Sequence, residues 1–184
     1  STTEVVGFGA RWMLEKLLQD ANIRLLPGEF GNLRLDYLDA YMECSSSETV
    51  VYPGVREVLD ELSDKDIKMG ICTNKPGATT LPVLQSLNLS QYFGAIVTED
   101  DVKHKKPDGR HVLQTIKALE GNITDAAFVG DSETDMFAAE SAGIPAICVK
   151  YGYCHTDFEN LNAFAFIDTF TDLPNALLNI SQAP

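Results

Sequence analysis

Two aspartates at helical spacing are the residues in this chain best suited to metal chemistry. Asp131 and Asp135 lie in the segment Gly-Asp-Ser-Glu-Thr-Asp, directly behind an apolar run. Carboxylate oxygens suit Mg²⁺, which commonly takes one or two carboxylates and completes its shell with water and phosphate oxygens. Ser132 and Asp135 equally fit a capping box at the start of a helix. The two interpretations are compatible, and the residues alone leave both open.

Two further polar clusters become informative only in combination with the aspartates. Thr73 and Asn74 follow another apolar run, where a hydroxyl and backbone N–H groups near a helix start could cradle a phosphate. Lys106 lies in the segment Lys-Pro-Asp-Gly, which is typical of a turn but could also supply a cation. Taken singly, each is an ordinary loop. Together they supply a hydroxyl, a cation and paired carboxylates, which suits phosphoryl transfer by positioning and charge neutralisation.

The surrounding pattern predicts how these clusters are brought together. Short apolar runs at 67–72, 95–98, 126–129, 146–149 and 165–167 alternate with amphipathic stretches. This alternation predicts an α/β fold with a doubly wound, parallel, Rossmann-like sheet. Ligands of such sheets bind outside the carboxyl ends of the strands, where all three clusters fall.

The first 50 residues have a different texture. They show two amphipathic helical patterns and no strand, so we expect a small helical unit at 1–50 and the α/β core at 51–184. Arg11 in the helical unit could meet an anionic substrate group, or it could be an ordinary surface arginine.

Composition excludes several classes of partner. The chain of 184 residues has 14 Lys and Arg against 27 Asp and Glu, for a net charge of −13. Such a surface disfavours nucleic acids and anionic membranes. No apolar run reaches the length of a membrane span, and no secretory leader is visible. The four cysteines form no C-x-x-C pair, which favours free thiols in a reducing, cytoplasmic compartment.

Longer segments resemble the haloacid dehalogenase superfamily, and within it the phosphoglycolate phosphatase branch. The segments are Tyr-Pro-Gly-Val at 52–55, Gly-Ile-Cys-Thr-Asn-Lys-Pro at 70–76, Asp-Val-Lys-His-Lys-Lys-Pro at 101–107, Phe-Val-Gly-Asp-Ser-Glu-Thr-Asp at 128–135 and Tyr-Gly-Tyr at 151–153. The resemblance covers essentially the whole chain. It implies a Mg²⁺-dependent phosphomonoester hydrolase acting on 2-phosphoglycolate, with residues 1–50 as part of a cap over the site.

The resemblance also implies roles for single residues. Thr73 and Asn74 match the positions that bind the transferring phosphoryl group, and Lys106 matches the lysine that offsets charge on the phosphate and its nucleophile. Asp131 matches a magnesium ligand, and Asp135 matches an acidic partner at the metal site.

One departure from the family pattern is large. The family's nucleophile is the first aspartate of an Asp-x-Asp-x-Thr motif at the end of the first strand, and this sequence has no such motif. We therefore expect the nucleophile and the first strand to lie outside this chain, which by itself should be inactive. A smaller departure is Asp108, where the family often has histidine.

In the family the absent strand lies between the runs at 67–72 and 126–129. A complementing N-terminal segment or another chain could fill its place, the two runs could pair directly, or a neighbouring molecule could donate a strand. Unpaired buried backbone groups are costly, so we expect one of these three outcomes. We favour the first, because it keeps the ends of the runs at Thr73 and Asp131 spaced for a phosphate. Rival interpretations are a non-catalytic binding or regulatory module with this fold, a receiver-like domain, and a phosphatase for another small metabolite.

Overall fold

The computed structural model describes the backbone of residues 10–183, and their side chains except at 10, 12 and 42–48. Seven α-helices and five β-strands follow one another along this part of the chain. The helices are α1 (Ala10–Asp20), α2 (Glu29–Glu48), α3 (Val55–Asp64), α4 (Gly77–Ser86), α5 (Gly109–Ala118), α6 (Glu133–Ala142) and α7 (Leu173–Ser181). The strands are β1 (Met69–Cys72), β2 (Phe93–Val97), β3 (Phe128–Gly130), β4 (Ala146–Val149) and β5 (Ala165–Ile167).

All strand pairs are parallel, as the alternation of strands and helices predicts. The strands form two separate sheets, one of order β1-β2 and one of order β3-β4-β5. A helix joins β1 to β2 in the first sheet and β3 to β4 in the second, namely α4 and α6. The predicted α/β architecture is therefore confirmed.

The core lies on both faces of β4, whose four residues are all buried. On one face, α6 contributes the small side chains of Ala138, Ala139 and Ala142, beside Val112 of α5. Small side chains let a helix approach a sheet closely, which explains the alanine run in α6. On the other face, α3 and α7 bury an apolar stripe that includes Val58, Leu62, Leu173 and Ala176.

A slot separates the two sheets. The residues of β1 and β3 are only half-buried, in contrast to those of β4. A cavity of about 320 Å³ lies here, and its wall includes Cys72 of β1 and Phe128, Val129 and Gly130 of β3. Within the described residues β1 pairs with β2 alone and β3 with β4 alone, so the two sheets have not closed onto each other. Direct pairing of the two runs is thus not observed, and the expectation of a complementing segment stays a prediction.

The helices α1 and α2 lie within the first 50 residues, where the sequence predicts a small helical unit, and the bounds of that unit stay a prediction. The Tyr37 hydroxyl of α2 lies 3.9 Å from the Met13 sulfur of α1, and the Tyr37 and Tyr41 rings are 6.1 Å apart. The same helix packs against α4 of the core. In the part of the chain that the structure describes, no helix is both long and apolar enough to cross a bilayer.

Candidate active site

The carboxyl ends of β1 and β3 and the loop after β4 bring polar residues together at the mouth of the slot. Lys106, Asp131 and Asp135 all line the cavity, with Tyr151 and Gly152 beside them. The sequence places these residues up to 46 positions apart, and the parallel strands bring them to one edge.

Asp135 is the most heavily bonded of these side chains. The start of α6 is a capping box in which Asp135 and Ser132 bond each other's backbone, as the sequence predicts. One carboxylate oxygen of Asp135 accepts hydrogen bonds from the backbone N–H of Asp131 at 3.1 Å and from the Ser132 hydroxyl at 2.8 Å. The other oxygen accepts from the Lys106 ammonium at 2.6 Å. Both oxygens are therefore engaged within the protein, which suits a supporting role beside a metal better than direct ligation.

Lys106 bridges the slot from one sheet to the other. Its Nζ donates to the carbonyl oxygen of Cys72, the last residue of β1, at 2.9 Å as well as to Asp135. The ammonium also lies 5.5 Å from the centre of the Phe128 ring. The Lys106 and Asp135 side chains are only 10% and 8% exposed, so this is a buried ion pair.

The ion pair decides the charge state of both partners. Burial alone would lower the pKa of Lys106, but the neighbouring Asp135 carboxylate outweighs it and raises that pKa. Burial would likewise raise the pKa of Asp135, but Lys106 and the donors of the capping box lower it. Lys106 therefore remains a cation and Asp135 an anion at neutral pH.

Asn74 couples the two loops that carry the predicted phosphate ligands. Its buried side-chain amide donates to the carbonyl oxygen of Lys106 at 2.9 Å and accepts from the Lys106 backbone N–H at 3.1 Å. Thr73 continues the ladder of β1 through a bond from its N–H to Val97, and its hydroxyl accepts from the Lys75 N–H at 3.1 Å. The turn interpretation of Lys106 also holds, since Asp108 N–H bonds Lys105 O at 2.9 Å.

Asp131 is the carboxylate that remains available for a ligand. Burial and the nearby charge of Asp135 raise its pKa to about 6. No cationic side chain forms an ion pair with it among the described residues. The described residues also hold no group of three or more His, Cys, Asp or Glu side chains that could enclose a metal. A carboxylate without a cationic partner, next to a supported second one, fits Mg²⁺, which completes its shell with water and phosphate.

Arg11 is not brought to this edge. It lies on α1, where its side chain is 70% exposed and pairs with Glu15 at 2.8 Å. Its guanidinium lies 5.7 Å from the Phe30 ring centre. Its assignment to substrate binding has no support in these contacts and stays a prediction.

Sequence reasoning missed two contacts that shape the site. Gly152 lies flush against Asp131, because a Cβ added there would overlap the Asp131 side chain. Lys75 of the loop after β1 donates to the Tyr41 hydroxyl of α2 at 2.6 Å. Both contacts join residues distant in sequence, so no local pattern predicts them. The Tyr-Gly-Tyr and Thr-Asn-Lys-Pro segments mark Gly152 and Lys75 as part of the family pattern but do not indicate which residues they contact.

Comparison with known proteins places the chain in a family. The model of the haloacid dehalogenase-like hydrolases matches residues 2–149. The chain belongs to this family, and the prediction of a haloacid dehalogenase-type phosphatase is confirmed.

Two curated relatives are phosphoglycolate phosphatases. One from Caulobacter vibrioides is 34% identical over 96% of this chain and 74% of its own length. One from Agrobacterium fabrum is 35% identical over 95% of this chain and 75% of its own. The predicted resemblance to this branch is thereby confirmed.

Solved structures share the fold. A crystal structure of a predicted phosphoglycolate phosphatase from Haemophilus somnus superposes with a TM-score of 0.82 at 23% identity, covering 95% of this chain and 80% of that one. A β-phosphoglucomutase from Clostridium difficile gives a TM-score of 0.83 at 19% identity, covering 98% and 82%. At such identities the likeness concerns the fold alone.

Proposed function

We propose that this chain is the larger part of a Mg²⁺-dependent phosphomonoester hydrolase acting on 2-phosphoglycolate. The observation that carries the proposal is the buried Lys106–Asp135 ion pair beside the unpaired Asp131, at the mouth of a slot between two sheets. The relatives named phosphoglycolate phosphatase support the choice of substrate.

Each side chain then has a part in transferring the phosphoryl group. The Lys106 ammonium, kept charged by Asp135, offsets charge on the phosphate and on the attacking carboxylate. The Thr73 hydroxyl and the loop organised by Asn74 hold the phosphoryl oxygens. Asp131 would hold Mg²⁺ with Asp135 in support, and the ion would supply further positive charge next to the phosphate. The first aspartate of an Asp-x-Asp-x-Thr motif outside this chain would take the phosphoryl group as the P–O bond to glycolate breaks, and the second aspartate would protonate the departing glycolate oxygen. Water, deprotonated by that second aspartate, would then cleave the aspartyl phosphate to inorganic phosphate and the free carboxylate.

A complementing segment would supply that aspartate. The facing edges of β1 and β3 have no ladder partner within the described residues, and Asp131 lies in the wall of the cavity between them. A parallel strand in the slot would pair both edges and bring its last residue to the carboxyl end, beside Lys106 and Asp131.

A cytoplasmic location is supported by the three described cysteines, all free thiols.

A phosphate-release assay tests the proposal. The chain alone should release no phosphate from 2-phosphoglycolate, and the chain joined to a first-strand segment with an Asp-x-Asp-x-Thr motif should release it only with Mg²⁺ present. In a panel of phosphate monoesters, kcat/KM should be highest for 2-phosphoglycolate. A clear preference for a hexose phosphate or a nucleotide would reject the substrate, and an inactive complemented protein would favour a non-catalytic module.

A further inference from the structure

Lys75 presents a cation at the junction of the helical unit and the core. Its side chain leaves the loop after β1 and reaches α2, where Nζ donates to the Tyr41 hydroxyl at 2.6 Å. The same ammonium lies 4.7 Å from the centre of the Tyr41 ring. Tyr41 therefore fixes the direction of a half-buried lysine through a hydrogen bond and a cation–π contact.

The neighbouring cations differ from Lys75 because their charges are already balanced. Arg34 of α2 and Lys105 both pair with the buried carboxylate of Glu99, and Lys106 pairs with Asp135. Among the described residues no carboxylate forms an ion pair with Lys75. A tyrosine hydroxyl is a neutral partner and takes one of the three ammonium N–H donors, so two donors are left for an anion.

The main chain of Lys75 ties this ammonium to the predicted phosphate site. Its backbone N–H donates to the Thr73 hydroxyl at 3.1 Å, and its carbonyl oxygen accepts from the Glu99 N–H at 3.4 Å. Thr73 and Lys75 are two positions apart, and two residues of extended chain span at most about 7 Å, so their backbones are close together. The lysine stem is long enough to place its charge beyond the phosphoryl group, on the side of the helical unit.

We infer that Lys75, oriented by Tyr41, binds a second anionic group of the substrate, a carboxylate one or two carbons away from the phosphate ester. This inference rests on the proposed function and deepens it, because it makes Lys75 the residue that selects small phosphorylated acids over neutral phosphate monoesters. Lys75 takes no part in bond making or breaking. Its contribution is a charge-assisted hydrogen bond to the part of the substrate that leaves.

The test compares two substrates in the complemented enzyme. For Lys75→Met we expect kcat/KM for 2-phosphoglycolate to fall about 10- to 100-fold, the range for a hydrogen bond between charged groups. For p-nitrophenyl phosphate, which has no carboxylate, we expect a change of less than about threefold, within the spread of surface substitutions. Lys75→Arg should recover part of the loss, and Tyr41→Phe should give a smaller loss with the same selectivity.

The control variant is Lys65→Met, which removes an exposed lysine paired with Glu61 on α3 and should leave both substrates unchanged. Melting temperatures of all variants show whether they fold, and Lys75→Gln serves as a second variant. Equal losses on both substrates, or no loss on either, would overturn the inference.

A binding measurement separates this inference from the proposed function. Calorimetry of the chain itself should show tighter binding of 2-phosphoglycolate than of ethyl phosphate, and Lys75→Met should abolish the difference. If the complemented enzyme hydrolyses neither substrate, the proposed function fails, and the calorimetric difference alone decides on Lys75. Equal affinities for the two ligands would reject the role of Lys75 whatever the enzyme does.

Discussion

At the scale of single residues, the ionised Asp131 carboxylate is destabilised by its surroundings, and Lys106 and the Tyr153 backbone relieve only part of this cost. Its carboxylate is largely buried next to the negative Asp135, and its pKa rises to about 6 from an ordinary value near 4. Asp135 avoids the same cost because Lys106 and the capping box neutralise it. Because the charge of Asp131 is less compensated than that of Asp135, a bound cation would stabilise the protein more at Asp131.

Replacing Asp131 with asparagine should therefore stabilise the fold at neutral pH. The folded protein binds the Asp131 proton more tightly than the unfolded chain does. The ionisation of Asp131 therefore lowers the free energy of unfolding: the loss is absent below about pH 4, grows towards pH 6 and is constant above it. We expect the free energy of unfolding of Asp131→Asn at pH 8 to exceed that of the natural sequence by about 1–3 kcal/mol, and the two to converge at pH 4. Urea denaturation at both pH values measures this.

Asp64→Asn, which changes an exposed aspartate of α3, is the control and should show no such pH-dependent gain. Mg²⁺ should raise the melting temperature of the natural sequence and not that of Asp131→Asn. A loss of stability at pH 8 would show that Asp131 is compensated within the fold.

Breaking the Lys106–Asp135 pair should destabilise the fold, in contrast to the stability gain expected for Asp131→Asn. Lys106→Met leaves a buried carboxylate without its cation, which typically costs about 3–5 kcal/mol. Adding Asp135→Asn to Lys106→Met should recover part of that loss, because the stranded charge is then removed. A double-mutant cycle by urea denaturation measures the coupling, and additive losses would contradict a direct pair.

At the scale of elements, two polar contacts hold α2 on the core in addition to its packing against α4. Arg34 bonds the Glu99 carboxylate, and Tyr41 accepts from Lys75. The two residues of α2 are seven positions apart, so they lie on one face of the helix. Glu99 is 1% exposed in its side chain and lies between Arg34 and Lys105. The helix therefore bonds the same two loops that carry Thr73 and Lys106.

Neutralising Glu99 should loosen α2 while leaving the core intact. Glu99→Gln keeps the shape of the side chain but leaves two cations facing each other, so we expect faster amide exchange at residues 29–41. Exchange in β4 should stay unchanged. Hydrogen exchange followed by mass spectrometry checks this, with Glu61→Gln of the exposed Lys65 pair as control. Unchanged exchange in α2 would mean that apolar packing alone holds it.

The elements themselves were largely predictable from sequence, and their connections were not. All five predicted strands occur, although the first begins at Met69 rather than at 67 because the Ile67 N–H bonds Leu62 and closes α3. Periodicity reports the local burial of a chain, so it finds strands and helices. It carries no information on which distant residue meets Lys75 or Asp131, and those contacts needed the structure.

At the scale of the whole molecule, the sequence predicts that a strand is missing next to β1 and β3, but it does not predict how these two strands are arranged without it. The family pattern predicts a strand between β1 and β3 and allows several ways to manage its absence. Among the described residues β1 and β3 do not pair with each other, and Lys106 reaches from the Cys72 carbonyl at the end of β1 to Asp135 beyond the end of β3. The molecule thus retains two parallel edges with a cavity between them.

Filling the slot should protect those edges and stabilise the whole chain. On adding a peptide with the sequence of a first strand, we expect slower amide exchange in β1 and β3, little change in β5, and a higher melting temperature. The physical reason is that backbone groups at both edges gain ladder partners. A peptide of the same composition with a central proline is the control, since it lacks an N–H that the ladder needs. Protection at β5 instead of β1 and β3 would place the peptide elsewhere.

The close contact between Gly152 and Asp131 bears on mutational tolerance. An added Cβ at Gly152 would overlap the Asp131 side chain, and one at Gly130 would overlap the side chain of Asp135. Neither glycine has a positive φ, so space rather than backbone conformation excludes other residues. Any substitution at these two positions displaces a carboxylate of the site, and even alanine is too large. In a saturation library of the complemented enzyme selected for activity, both positions should therefore be as intolerant as the aspartates they face.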